Sequence, residues 1–180
     1  MQLNFASYRI TPIHPKDGWS LCNFAVTNED RLKRYFPKTL EQNLTPDLSN
    51  IFVVKKTKQF ESKDEFLFTI KEIETHKLIG LVYIKEVNWI TKQGEFAYCI
   101  DYSFEGKRII TETVKQLSDH AFESLGLKTL QIIVHESNTA SLKVAINNNF
   151  THIKTLKNEH TPPGEQPLDM ELYELYKEIE

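Results

Sequence analysis

The apolar positions of this chain change period along its length, and each change marks an element. Leu3 to Ile13 reads as a first strand, with Tyr8 and Ile10 alternating against polar neighbours. After His14-Pro15-Lys16-Asp17 the spacing turns helical. Trp19, Leu21, Cys22, Phe24, Ala25 and Val26 form an apolar face that continues towards Leu32, Tyr35 and Phe36, where Pro37 interrupts it. Thr45-Pro46-Asp47 carries three marks of a helix start: a capping hydroxyl, a proline at the first helical position and an acid in the first turn. Leu48, Ile51, Phe52 and Val53 extend that helix towards Gln59, although Ile51 to Val54 alone would also suit a strand.

The middle of the chain reads as sheet. Glu65 to Ile73 alternates, with Phe66, Phe68 and Ile70 on one face. Thr75-His76 is a turn, and Leu78 to Ile90 is a long second strand with Gly80 at a bulge or close approach. Gln93-Gly94 is the next turn, and Glu95 to Tyr102 completes a three-stranded meander. Ile109, Ile110, Val114, Leu117 and Phe122 recur at helical spacing, predicting a helix over Gly106 to Leu125 that Gly126 ends. Leu130 to Val134 is a buried strand. Asn138-Thr139-Ala140-Ser141 opens a helix with apolar Val144 and Ile146, and Asn147-Asn148-Asn149-Phe150 closes it. Phe150 to Leu156 is a strand, Asn158 to Pro167 a loop, and Leu168 to Tyr176 the last strand. This order predicts an α+β fold: a mixed sheet of about seven strands flanked by helices. No repeat or composition shift divides the chain, so one domain over 1–180 is expected.

Composition narrows the class. The 180 residues are 40% hydrophobic and 26% charged, which is ordinary for a soluble globular protein. A net charge of -3 gives no basic excess for nucleic acid. No segment approaches the roughly 20 apolar residues of a membrane span. Met1 to Ile13 has no signal-peptide pattern, so a cytoplasmic protein is expected. Cys22 and Cys99 read as reduced, partly buried thiols, and the six histidines show no metal-ligand spacing, so no metal is expected.

The candidate chemistry sits after the buried strand. Asn138 can cap the helix that follows and Ser141 lies one turn in, so both present polar groups at the same end. Taken alone, a capped helix between two strands explains the segment equally well. The Asn-x-x-Ser segment with its Phe150 ending, the opening Tyr8-Arg9-Ile10-Thr11-Pro12, the Ile79-Gly80 strand and the element order together resemble the GNAT superfamily of acyltransferases. The branch most resembled acetylates the α-amino groups of ribosomal proteins. The likeness covers nearly the whole chain and is most specific over Glu95 to Phe150.

This resemblance implies the GNAT fold, acetyl-CoA as co-substrate, and direct transfer of an acetyl group to a primary amine, either a protein N-terminus or a small amine. It leaves a homodimer open. By the same resemblance, Gly106, Lys107, Arg108, Ile109, Ile110 and Thr111 would hold the pyrophosphate, with Ile100 and Tyr102 lining the cofactor where a backbone N–H polarises the acyl carbonyl. Ser141 would hydrogen-bond or protonate the leaving thiolate, and Asn138 would hold the pantetheine arm or an ordered water. Glu95 would accept the amine's proton, or be an edge or bulge carboxylate open to water. Tyr98 and Tyr102 would pack as strand aromatics, and His135 would be a surface histidine or a second base. Leu32 to Leu44 and Asn158 to Pro167 would frame the acceptor, with Phe36, Trp89 and Glu159 as wall residues.

Three positions depart from the family's phosphate loop. Glu105 is acidic where a neutral or basic residue is usual, Arg108 stands at a glycine position, and Ile110 at a glycine or alanine position. A carboxylate a few ångströms from a diphosphate costs about 1 kcal/mol or more in a partly screened site. The alternative function is therefore a catalytically inactive GNAT-like binding module with an altered cleft.

Overall fold

A computed structural model of the chain describes residues 1–178. Its strands are β1 (Leu3–Phe5), β2 (Tyr8–Pro12), β3 (Phe66–Glu72), β4 (Leu78–Asn88), β5 (Gln93–Ile100), β6 (Thr129–Val134), β7 (Thr151–His160) and β8 (Leu168–Tyr176). Its helices are α1 (Gly18–Thr27), α2 (Glu29–Tyr35), α3 (Pro37–Glu41), α4 (Pro46–Glu61), α5 (Ile109–His120) and α6 (Thr139–Asn147). The strands form one sheet in the order β1-β2-β3-β4-β5-β6-β8-β7. It is mixed, because β5 and β6 run parallel while β1–β2, β2–β3, β6–β8 and β7–β8 are antiparallel. The sheet has eight strands where about seven were expected. The single strand read over Leu3 to Ile13 reverses at Ala6-Ser7, with Ala6 at φ 45°, and pairs Phe5 with Tyr8. The backbone groups into two compact units, Met1–Tyr83 with Tyr98–Glu105, and Ile84–Ala97 with Gly106 onwards.

In the first unit, β3 is buried on both sides from Phe66 to Ile70, so the one-faced alternation read from sequence gives way to a two-sided core. The long helix expected after Asp17 breaks at Asn28. Its Nδ2 donates to the Phe24 carbonyl at 2.9 Å, ending α1 before α2 starts. The interruption expected at Pro37 is present: α2 ends at Tyr35, and Pro37 opens α3 as its first residue. The buried stripe of α1 is Leu21, Cys22, Phe24 and Ala25, whereas Trp19 and Val26 face solvent. The α4 start is as read: the Thr45 hydroxyl accepts from the Leu48 N–H at 3.3 Å and Pro46 is the first helical residue. Only Phe52 and Val53 of its apolar residues are buried; Leu48, Ile51 and Val54 are exposed.

β5 ends at Ile100, two residues before the expected Tyr102, because Asp101 fixes the exit. Its N–H donates to the Ile79 carbonyl at 2.7 Å, and its carboxylate accepts from the Ser103 N–H at 2.9 Å and pairs with Lys77 at 2.9 Å. Gly80, one residue on from Ile79, is a close-approach point: a Cβ there would lie 3.0 Å from the Cys99 carbonyl oxygen.

In the second unit, the turn expected at Gln93-Gly94 lies earlier, over 89–92, with Lys92 at φ 57°. Gly94 belongs to β5, where an added Cβ would stand 2.8 Å from Ile84 Cγ2 and 3.2 Å from Leu127 Cδ1. α5 starts at Ile109, later than the expected Gly106, and ends in a single π turn, Ala121–Leu125, that Gly126 closes at φ 77°. In α6, Val144 and Ala145 are buried but Ile146 is exposed. Asn148 caps α6 and is itself buried, donating to the Thr111 carbonyl at 3.1 Å and the Val144 carbonyl at 2.9 Å. Phe150 packs against Phe96, with ring centroids 6.4 Å apart. β7 continues through Asn158 to His160, shortening the loop expected there to 161–167.

Two outcomes are expected. Gly94→Ala forces Ile84 and Leu127 to shift, lowering stability by about 1–3 kcal/mol in urea unfolding. Burial would raise the Asp101 pKa, but the bonds from Lys77 and Ser103 outweigh it and hold the carboxyl below the usual range. A depressed pKa contributes stability above the ordinary carboxylate value of about 3.9, and that stability is lost as pH falls through the lower folded value. Asp101→Asn should therefore lower stability at neutral pH and flatten the acid limb of the stability–pH curve.

Candidate active site

Gly106-Lys107-Arg108 leads into α5. Gly106 sits at φ 72° with open space where a Cβ would be, and Arg108 sits at φ 59°, ψ 14°. Gly106 and Arg108 are both left-handed within a turn, a class of backbone conformation that can form anion-binding concavities. Arg108 is the N-cap, yet its side chain makes no capping bond; the first intrahelical bond runs from the Glu112 N–H to the Arg108 carbonyl at 3.0 Å. The N–H groups of Ile109, Ile110 and Thr111 thus meet no capping side chain at the positive end of the helix dipole. Arg108 takes the conformation glycine usually supplies, at a cost of about 1–2 kcal/mol. Ile110 does not disturb the loop, because it lies inside α5 with its side chain buried. The Asn148 bond to Thr111 fixes the inward side of this same turn. These residues fit a diphosphate.

At the start of α6, the Asn138 Oδ1 accepts from the Ser141 N–H at 3.1 Å. Asn138 is therefore a cap by its oxygen, and its Nδ2 is the group left for a ligand. Ser141 is half-buried in the first turn. His135 is half-buried: its Nδ1 lies 2.7 Å from Ser137 Oγ and accepts from the Ser137 N–H at 3.2 Å, which leaves Nε2 as its outward nitrogen. Glu95 is not an exposed edge carboxylate. β5 lies between β4 and β6, and the Glu95 side chain, 14% exposed, pairs with Lys85 at 2.7 Å.

Of the residues singled out from sequence, Glu95, Gly106 to Thr111, Asn138 and Ser141 fall in the second unit, and Ile100 and Tyr102 in the first. Tyr102 is not a packed strand aromatic. It lies past β5, half-exposed, with the Arg31 guanidinium 4.2 Å from its ring centroid and its N–H donating to Asn28 Oδ1 at 3.3 Å. Arg31 also donates to the Ile100 carbonyl at 2.5 Å and pairs with Glu105. Sequence reading missed Arg31: in Glu29-Asp30-Arg31 it looks like one more charge on a solvated helix face. Burial pushes the nearby Cys99 thiol up to about 12 against the pull of Arg31, so it stays protonated at neutral pH and is no nucleophile.

The first unit also holds an aromatic wall. Phe36 stacks on Tyr83 at 6.2 Å, and the Tyr83 hydroxyl, its pKa raised by burial, lies 3.2 Å from the Thr39 hydroxyl. Lys56 reaches to 5.5 Å from the Tyr83 ring centroid and pairs with Glu65 at 2.5 Å. Phe36 is half-buried; Trp89 lies in the 89–92 turn and Glu159 in β7. Among the described residues, no group of histidine, cysteine, aspartate or glutamate side chains could hold a metal ion, and no helix is long and apolar enough to cross a membrane.

Comparison with known proteins agrees with this arrangement. The acetyltransferase (GNAT) domain pattern matches residues 8–151. The Bacillus subtilis (strain 168) protein YdaF, provisionally named a ribosomal N-acetyltransferase, is 23% identical over 132 residues, 73% of this chain and 71% of its own. The structure of ribosomal-protein-S5-alanine acetyltransferase from Vibrio fischeri superposes with a TM-score of 0.91 at 20% identity, covering 98% of this chain and 96% of that one. RimL, a ribosomal L7/L12 alpha-N-protein acetyltransferase solved in complex with coenzyme A, gives 0.89 at 16% identity, covering 98% of both. The chain belongs to the GNAT acetyltransferase family.

Proposed function

We propose that this protein is an acetyl-CoA-dependent N-acetyltransferase that moves an acetyl group directly to a primary amine. The observation that carries this is the left-handed Gly106–Arg108 turn opening onto uncapped N–H groups at the start of α5. Arg108 adopts the loop conformation despite its side chain, so the departures from the family pattern leave the anion-binding backbone intact. The coenzyme A bound to RimL supports the same cofactor here. A protein α-amine is the favoured acceptor, because YdaF and both structural neighbours carry names of ribosomal-protein acetyltransferases. We read 1–180 as one domain, since β4 and β5 each contribute residues to both units. Two free, buried cysteines suit a cytoplasmic setting.

Bound acetyl-CoA supplies the thioester whose carbonyl carbon the amine attacks; the C–N bond forms, the C–S bond breaks and the thiolate leaves. Gly106 to Thr111 hold the diphosphate through backbone N–H groups, and Lys107 and Arg108 add positive charge. Glu95 takes the proton that the amine must lose, directly or through water, while Lys85 holds one of its oxygens. Ser141 donates its hydroxyl proton towards the leaving sulfur, and the Asn138 amide steadies the pantetheine arm.

Calorimetric titration with acetyl-CoA should give micromolar binding, with desulfo-coenzyme A and adenosine diphosphate as controls. No binding at millimolar cofactor would leave a non-catalytic binding module. Ser141→Ala should lower kcat by about 100-fold with cofactor affinity nearly unchanged, and equal rates would remove Ser141 from the mechanism. Glu95→Gln should lower kcat by a similar factor; a rate equal to the parent's would exclude Glu95 as the base.

A further inference from the structure

The segment from Ile100 to Glu105 joins β5 to the phosphate loop, and one arginine holds it at three points. The Arg31 guanidinium donates to the Ile100 carbonyl at 2.5 Å, lies over the Tyr102 ring at 4.2 Å, and pairs with the Glu105 carboxylate. A planar fork with five donors can serve all three at once, which a lysine ammonium cannot. Asn28, at the start of the same helix, accepts from the Tyr102 N–H. On the other side, Lys77 pairs with Asp101 and lies 5.2 Å from the Phe104 ring centroid.

The two carboxylates of this segment, Asp101 and Glu105, thus each have their own cation. The two pairs differ in setting. The Asp101 side chain is 5% exposed and builds the strand exit, whereas the Glu105 side chain is 50% exposed and caps nothing. Arg31, its ion-pair partner, has a side chain only 18% exposed. Glu105 precedes Gly106, so their Cα atoms are about 3.8 Å apart. An uncompensated charge there would act on any anion held by the next residues, well inside a screening length of about 8–10 Å.

We infer that Arg31 is a positioning residue for the cofactor: by neutralising Glu105 and fixing the Ile100–Glu105 segment, it allows the loop that starts at Gly106 to accept a diphosphate. The inference rests on the acetyl-CoA reading above. It also explains how an acidic residue can stand at the entrance of an anion-binding loop without blocking it. Arg31 acts through Glu105 and the backbone, not by touching the cofactor.

The test is a double-mutant cycle read by calorimetry with coenzyme A at low salt and at about 0.5 M salt. Arg31→Ala leaves Glu105 unpaired and should weaken binding about tenfold at low salt, with the loss shrinking at high salt. Glu105→Gln alone should tighten binding about two- to fivefold, since it leaves the Arg31 charge unopposed. Arg31→Ala with Glu105→Gln restores the local balance and should return affinity to within about threefold of the parent. A double variant as weak as Arg31→Ala would mean that Arg31 acts by direct contact or by structure alone, and would overturn the inference. So would an Arg31→Ala loss that is unchanged by salt. Should Arg31→Ala fail to fold, Glu105→Gln alone carries the test. Glu105→Gln must then still tighten binding; unchanged or weaker binding overturns the inference. Parent protein that does not bind coenzyme A would refute the transferase reading itself, a result distinct from parent binding without rescue.

Discussion

On the proposed acetyl-CoA reading, the first turn of α5 has to be rigid and uncapped at once, and the buried Asn148 amide holds it without a cap. A helix start usually gains stability from a side chain that covers its N–H groups, but covering them would close an anion site. Here the turn is held from its inner side instead. Asn148 donates to the Thr111 carbonyl while also closing α6 through the Val144 carbonyl, and Ile109 and Ile110 bury their side chains. One amide thereby ties the C-terminal end of α6 to the N-terminal turn of α5. The N–H groups are held without a side-chain cap from Arg108, which the proposed diphosphate site would require.

The same economy governs the charges. Glu65, Glu95, Asp101 and Glu105 each have an ion-pair partner, Lys56, Lys85, Lys77 and Arg31 respectively. Partly exposed pairs of this kind contribute little to stability, about 0–1 kcal/mol each, so their value lies elsewhere. In a chain of net charge -3, pairing offsets the negative field of these acidic side chains locally. For Glu95 the pairing has a second consequence. Lys85 fixes the orientation of the carboxylate, which on a central strand between two neighbours is held more firmly than on an edge, as the proposed base would need.

Much of this was legible from the residues because it depends on local chemistry. The Thr45-Pro46 start of α4, the Gly126 stop and the Asn138 cap are each written within four residues, and the structure has all three. What failed depends on contacts between distant segments. The turn at Ala6-Ser7 was invisible because the alternation of β1 runs on into β2 with no glycine or proline to mark a reversal. Gly94 looked like a turn residue, but it is in β5 because Ile84 and Leu127 leave no room for a Cβ. Arg31 was missed for the same reason: its partners lie about seventy residues away at Ile100 and Glu105. Glu95 could be named from the family likeness, whereas the Lys85 partner that rules out an exposed carboxylate needed the strand register.

Arg108 shows why a motif mismatch is weak evidence of lost function. Glycine is usual at that position because it reaches a left-handed backbone without strain, and the strain for arginine is about 1–2 kcal/mol. That is a small cost against the packing that fixes the turn on either side, Asn148 on Thr111 and the buried Ile109. The residue that bears it also brings a cation to the edge of an anion-binding loop. A glycine would relax the backbone and leave the loop with Lys107 as its one basic side chain. The departure from the family pattern thus exchanges conformational ease for charge, in a loop whose neighbouring residue, Glu105, makes positive charge worth having.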